Sequence, residues 1–276
     1  MKSSIRKNGT MHHQRGATLI VVLIMLLLVT MLGVWGIRTA MTSLNIATNS
    51  QVGQLLSQTG DTPSNYFLNM SNYNDLTRIT TAVGQAITLH KERPGREIVF
   101  CYKPTSKEII DTAFDTTVLV PPQQTDGANT KATIDSVYTN RSGFCDLTKD
   151  FGSSREAVVT QVAVKIISQP GAIGADLERG TNQAEGATET KDKVDAKVRV
   201  TTTAIMPNFA RSNITSIQSD CIGASGAVGY INDNLGTELQ GKRTVADCLT
   251  SYGVPISTQV QEFEMRSRDI QIEAPM

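Results

Sequence analysis

The sequence predicts an α+β fold in which a long N-terminal α-helix packs on an antiparallel β-sheet domain. Three observations lead to this prediction. Residues 17–37 form a strongly apolar run without a charged side chain. A helical spacing of apolar residues continues this run to about residue 58. Two later segments, 158–166 and 194–205, alternate apolar and polar residues, as strands with one buried face do.

The uneven distribution of charge along the chain supports a membrane topology for the apolar run 17–37. The 276 residues carry 26 basic and 26 acidic side chains, so their formal net charge is zero. Residues 1–60, however, hold five bases and no acid, and the remainder holds 21 bases against 26 acids. A balanced total of this kind predicts no specific nucleic-acid binding, whereas the asymmetry is typical of a membrane topology signal.

The apolar run Ala17–Ile37 contains seventeen apolar residues among twenty-one. At 1.5 Å per residue it forms about 31 Å of helix, which is enough to span a bilayer core. A cleavable secretory signal has a shorter apolar region of about 7–15 residues, so we expect this helix to be retained. Four bases precede it, and the positive-inside rule therefore keeps the N-terminus cytoplasmic. The simplest interpretation is a single-pass inner-membrane anchor with a translocated C-terminal part.

The junction before the run is Arg15-Gly16-Ala17, a short basic leader that ends in glycine. It resembles a type IV prepilin signal, in which a prepilin peptidase cuts after the glycine and methylates the new N-terminus. The resemblance implies cleavage between Gly16 and Ala17, N-methylation of Ala17 and a leader of residues 1–16. Glycine also suits this position physically, because it leaves the peptide bond accessible and disfavours helix.

The longer string over residues 14–60 resembles the N-terminal region of PilX-type minor pilins. The matching features are the Arg-Gly junction, the Leu/Val-rich run, the segment 30–34, Arg38 and the region of Asn49. The resemblance implies a pilin-like fold and a place in a type IV pilus, or fimbrium, at the cell surface, with roles in adhesion, twitching motility and DNA uptake. Implied partners are the prepilin peptidase, other minor pilins, the major pilin and the inner-membrane assembly platform, with a large tip adhesin as a further candidate.

Val21 departs from the general pilin pattern, because pilins usually carry glutamate as the fifth mature residue. A carboxylate in a membrane helix is costly unless it is paired, and in pilin filaments it is thought to meet the N-terminal ammonium of a neighbouring subunit. The absence of this glutamate is similar to its absence from the tip subunit of type II secretion pseudopili. We therefore expect this protein at or near a filament tip, where it primes assembly; the alternative is that Val21 has no positional meaning.

The helix is predicted to end before Gly60-Asp61-Thr62-Pro63, which combines glycine, a turn-former and proline. This gives three predicted parts: the leader 1–16, the helix 17–60 with its membrane-spanning segment 17–37, and the periplasmic or extracellular domain 61–276. Two glycines, Gly33 and Gly36, either permit close helix packing or allow local unwinding.

The domain is predicted to contain a weak helix, several strands and one long exposed loop. The predicted helix is Ile79–Leu89, and the loop is Pro170–Lys193, which joins two antiparallel strands. The predicted strands are Glu97–Tyr102, Val118–Pro121, Val158–Ile166, Val194–Ile205 and a tail segment, Ser257–Ile272. Polar Gln161 and Lys165 are expected on the solvent face of their strand.

The four cysteines, Cys101, Cys145, Cys221 and Cys248, all follow the apolar run. Their spacing matches no zinc motif, so no metal is predicted. In an oxidising periplasm we expect disulfides. Three pairings are possible, and we favour Cys101–Cys145 and Cys221–Cys248, because each pair brackets a turn-rich loop.

The sequence predicts neither an enzyme nor a cofactor. Two of its three histidines, His12 and His13, lie in the leader, and His90 has no visible catalytic partner. The segment 223–227 lacks the glycine that would complete a nucleophile elbow.

Two other functions fit the same sequence features. A type II secretion minor pseudopilin has the same N-terminal chemistry as a minor pilin. A single-pass, membrane-anchored periplasmic binding or hydrolytic domain would keep its leader and never leave the bilayer.

Overall fold

A computed structural model describes residues 17–69, 78–104, 115–137, 143–153, 156–167, 196–224 and 227–265. The chain divides into two compact units, Met1–Val52 and Gly53–Met276. In the first unit the described residues form one helix. The second unit contains a six-stranded antiparallel sheet, so the α+β layout is confirmed.

Helix α1 spans Ala17–Asn69 and does not end near residue 58. The prediction that Gly60-Asp61-Thr62-Pro63 stops this helix is wrong. The proline lacks the N–H that would bond to the carbonyl four residues earlier, which weakens the helix locally. One side of this segment is buried, however, and the ring of Phe67 stacks on Phe263 of the sheet with centroids 6.3 Å apart. This packing offsets the loss, because tertiary contacts outweigh local propensity.

Helix α2 spans Ala82–Glu92, three residues later than the predicted Ile79–Leu89. Thr81 fixes its first turn, because the threonine Oγ1 accepts a hydrogen bond from the backbone N–H of Gly84 at 3.1 Å. Ile79 precedes this cap and is exposed. The side of α2 that packs on the sheet carries the buried residues Ala82, Val83, Ala86 and Leu89.

Eight strands lie in the described part of the chain. The large sheet has the order β3-β2-β1-β4-β5-β8, and all its neighbouring strands are antiparallel. Its strands are β1 Glu97–Tyr102, β2 Thr117–Val120, β3 Thr133–Ile134, β4 Val159–Ile166, β5 Ala196–Ile205 and β8 Ile256–Met265. A separate two-stranded hairpin consists of β6 Gly223–Ala224 and β7 Ala227–Val228.

The predicted strands are confirmed to within two residues wherever they are described, and so is the antiparallel pairing of β4 with β5. Their register places Val159 opposite Ile205 and Ile166 opposite Val198. The loop Pro170–Lys193 and the end of the tail segment, 266–272, lie outside the described residues.

The prediction that β4 and β5 each have a solvent face is wrong, because both faces of the sheet are covered. Val162 and Val164 pack on one face with Phe67 of α1 and Val83 of α2. Val159, on the opposite face, belongs to a second buried cluster. Every residue of β4 is buried, including its polar residues. The alternation of polar and apolar residues in β4 therefore indicated a half-exposed strand, whereas β4 is a central strand with both faces buried.

The second face is covered by the chain between β5 and β8, residues 206–255. This cover contains helix α3 Ile214–Ile217, the π-helical turn Gln218–Ile222, the β6–β7 hairpin and helix α4 Val245–Ser251. A capping box starts α4: Thr244 Oγ1 accepts from the N–H of Asp247, and the aspartate carboxylate accepts from the N–H of Thr244. The cover buries Ile217, Ile222 and Leu249 against the sheet.

Candidate functional site

The predicted processing site lies at the boundary of the described residues. Gly16 is outside them, and Ala17 is the first residue of α1, although its side chain is not described. Val21 lies in the first turns of α1 with 58% of its surface exposed. Ala17 and Val21 therefore lie on the same helix, four residues apart.

Residues 18–37 of α1, which we term the apolar stem, expose their large side chains on every side of the helix. The large apolar residues of this segment are between 49% and 74% exposed. By length and composition, α1 is the one candidate membrane span among the described residues. Water-soluble monomers rarely expose an apolar surface of this extent. The stem thus needs an apolar environment, which lipid or other apolar helices can supply.

Threonine hydroxyl groups along α1 bond to the helix itself. Thr30 Oγ1 donates to the carbonyl of Leu27 at 2.9 Å, and Thr39 Oγ1 donates to the carbonyl of Trp35 at 3.0 Å. Further along, Thr42 and Thr48 repeat the second pattern. A polar group in hydrocarbon must find its partner within the protein. Thr30 lies within the stem, and its internal bond meets that requirement there, whereas Thr39, Thr42 and Thr48 follow the stem.

The cysteines form the two disulfides that the sequence favoured. Cys101 of β1 is bonded to Cys145, and Cys221 of the π-helical turn is bonded to Cys248 of α4. The first bond ties the sheet to the segment before β4, and the second holds the cover together. Both lie in the buried cluster on the second face.

Removing either disulfide is expected to lower the free energy of unfolding by about 3–4 kcal/mol, because the unfolded chain gains loop entropy. The loops close over 44 and 27 residues, so the loss should be slightly larger for Cys101–Cys145. Urea titration of the paired Cys→Ala variants measures both losses. Peptide mapping without reductant provides a check on connectivity, and a Cys101–Cys221 peptide would contradict it.

A row of charged side chains, four of them buried, crosses the second face of the sheet, and no sequence pattern predicted it. Lys165 of β4 stands directly opposite Arg199 of β5, which stands opposite Glu262 of β8. Glu97 of β1 and Asp233 of the cover complete the group. The side chains of Glu97, Lys165, Arg199 and Asp233 are at most 9% exposed. We call these five residues the ionic row.

Asp233 is the bridge of the ionic row. Its Oδ2 lies 2.8 Å from Lys165 Nζ, and its Oδ1 lies 2.9 Å from Arg199 Nη1. Like charges on directly opposed residues repel each other. The carboxylate between the two cations attracts both of them and so offsets this repulsion. The loop that carries Asp233 is thereby fixed to the sheet.

The ends of the ionic row bind further polar groups. Glu97 Oε1 lies 3.4 Å from Lys165 Nζ, and Glu97 Oε2 accepts two hydrogen bonds from Asn232, each of 3.1 Å. At the other end, a hydrogen bond from the Arg199 guanidinium lowers the pKa of the Glu262 carboxyl. The signal available in the sequence was the presence of charged residues within the apolar strands, among which Lys165 was expected on a solvent face.

A second polar cluster surrounds Asp220 at the edge of the cover. Its carboxylate accepts hydrogen bonds from Lys131 Nζ at 2.7 Å and from Tyr252 Oη at 2.9 Å, and these bonds lower the pKa of Asp220. Cys221 and Cys248 lie close enough to suggest a metal site. Because their sulfurs form a disulfide, they offer no thiolate, and the carboxylate is already engaged by a cation.

Comparison of the chain with known protein families, with curated proteins and with solved structures finds no match. The apolar stem, the junction before it and the domain that follows are therefore the features that bear on function.

Proposed function

We propose that this protein is a minor pilin that primes assembly of a type IV pilus and lies at or near its tip. The observation that carries the proposal is the apolar stem, 18–37, exposed along its whole length directly after the prepilin-like junction Arg15-Gly16. A stem of this kind can be stored in the inner membrane and later moved into an equally apolar filament core.

The physical basis of assembly is an exchange of apolar surroundings. In lipid the stem contacts acyl chains, and in a filament it contacts the helices of neighbouring subunits. Helix association in such surroundings is driven by close packing rather than by escape from water. Gly33 and Gly36 leave open space where a Cβ would stand, so a neighbouring helix can approach closely there. Arg38 is the first charged residue after the stem and limits its apolar length.

The order of events follows from topology. The basic leader holds the N-terminus in the cytoplasm, and the domain carrying both disulfides lies on the periplasmic side. The prepilin peptidase cleaves after Gly16 and methylates Ala17. The assembly platform then moves the subunit, together with other minor pilins and the major pilin, into the pilus; a large tip adhesin is a further partner. Adhesion, twitching motility and DNA uptake are the activities of the resulting fibre.

The tip position rests on Val21. Without a carboxylate at this position, the subunit cannot pair with the N-terminal ammonium of a subunit ahead of it, and a tip subunit has none ahead. Immunogold labelling should therefore mark the ends of wild-type pili, whereas Val21→Glu should place label along the shafts. Even labelling of wild-type shafts would refute the tip position.

A genetic assay tests the pilus function itself. Deletion of the gene should remove surface pili and twitching, and the intact chain should restore both. A type II secretion minor pseudopilin would instead restore secretion of exoproteins and leave piliation unchanged. If neither phenotype responds, the membrane-anchored periplasmic domain becomes the better assignment.

A further inference from the structure

The two edges of the six-stranded sheet differ in a way that points to a binding surface. At one edge, β3 contains two residues. At the other, β8 pairs with β5 through ten consecutive residues, from Ile256 opposite Ile205 to Met265 opposite Ala196, without a bulge. Within the described residues, β8 has no strand on its other side. An average strand has about five or six residues, so β8 is a long edge.

The usual protection of an edge strand is absent from the centre of β8. Edge strands are commonly blunted by lysine, proline, a bulge or a very short length. The segment Ser257–Gln261 contains no charged residue and no proline. The carboxylate of Glu262 is already paired with Arg199 and Lys197. The backbone along this edge therefore offers alternating N–H and C=O groups that an extended polypeptide satisfies.

We propose that the free edge of β8 binds an extended segment of another protein as a seventh strand of the sheet. Backbone hydrogen bonds supply the affinity in this mode, and alternate side chains supply the specificity. On the face of Glu262, the incoming side chains meet Thr258 and Val260, the latter 36% exposed. A β-branched residue suits Val260. Glu262 is 32% exposed and its Oε2 has a longer contact, 3.3 Å, with the 43% exposed Lys197, so a basic residue of the incoming strand can share this carboxylate. This inference stands independently of the pilus function.

A second β8 is a poorer occupant than a basic, β-branched segment. When two copies pair antiparallel over their full length, Glu262 faces Gln259 and Glu264 faces Ser257. Neither pair brings opposite charges together, although opposite charges stabilise cross-strand pairs. The β5 sequence, AKVRVTTTAI, has the required chemistry, and its register on the inner edge places Arg199 opposite Glu262. A peptide of that sequence is therefore a defined probe for the outer edge.

The experiment measures binding of the fluorescein-labelled β5 peptide to the full chain in detergent micelles by anisotropy, together with hydrogen exchange of residues 256–265. We expect saturable binding that exceeds that of a scrambled peptide and slows exchange in β8. Val260→Lys should weaken binding by about tenfold or more, because it adds a protective lysine to the edge. Thr133→Lys, on exposed β3, is the matched control and should leave binding unchanged.

Three results would overturn the inference. The first is equal binding of the scrambled peptide, or binding that does not respond to Val260→Lys in a variant that retains the wild-type circular dichroism. The second is complete exchange protection of β8 in the protein alone, since the chain's own residues would then cover the edge. The third is tighter binding of a peptide that copies β8, which would make this edge an interface between two copies.

Discussion

Replacement of Asp233 by alanine is expected to lower the free energy of unfolding by about 3–5 kcal/mol. The carboxylate lies 2.8 Å from Lys165 Nζ and 2.9 Å from Arg199 Nη1, and among the residues that the structure describes it is the one partner that the two cations share. Without it, two opposed, buried positive charges repel each other, and the N–H of Leu235 loses its acceptor. Since domains are stable by about 5–15 kcal/mol, this loss is a large fraction of the total.

Urea titration of the full chain in detergent micelles, followed by circular dichroism, measures the effect. Lys149→Ala is the matched control, because Lys149 forms an ion pair with Asp146 but is 79% exposed. Exposed pairs contribute at most about 1 kcal/mol, so the control should unfold close to wild type. A loss below about 1 kcal/mol for Asp233→Ala would show that the ionic row does not hold the cover to the sheet.

Replacement of Gly16 by valine is expected to abolish processing of the precursor and, with it, any pilus phenotype. A β-branched side chain at this position obstructs the access of the peptidase to the bond that must be cut, whereas glycine has no side chain in the way. In the proposed topology, the unprocessed chain keeps four bases before the stem, and these hold the N-terminus at the cytoplasmic face of the membrane. The apolar stem then cannot enter a filament core. Immunoblotting of membrane fractions measures processing, and twitching measures function.

Gly9→Val provides the control, because Gly9 lies in the same leader but away from the junction. It should be processed as the wild type is. Normal twitching by an unprocessed Gly16→Val protein would exclude the minor pilin function and favour a membrane-anchored domain, which needs no cleavage.

The sequence predicted those parts of the fold whose pattern is local. The stem is uncharged over all of its twenty residues, and β1, β4 and β5 carry short, regular apolar patterns. The end of α1 could not be predicted in this way. Gly60 and Pro63 are local signals for termination, whereas the contact of Phe67 with Phe263 joins residues almost two hundred positions apart. The long-range packing of Phe67 allows α1 to continue past Gly60 and Pro63, and the local helix-breaking propensity of these two residues is the weaker effect.

The interior of the domain was misjudged for a related reason. Lys165 was expected on the solvent face of its strand and Arg199 was not singled out, because isolated charges almost never lie in a core. Their burial depends on Asp233, in a cover whose helices and strands are too short to give a recognisable period. The disulfide pairing could be predicted from the sequence, since each bond joins two successive cysteines that bracket a turn-rich loop. The stem could likewise be predicted from composition.

Mass spectrometry of the membrane-extracted protein shows whether the chain is processed as a prepilin. We expect an N-terminus at methylated Ala17. The chain would then carry 22 basic and 26 acidic side chains, because the leader contains four bases and no acid. An N-terminus at Met1, with the leader intact, would contradict the assignment of this protein to the pilins.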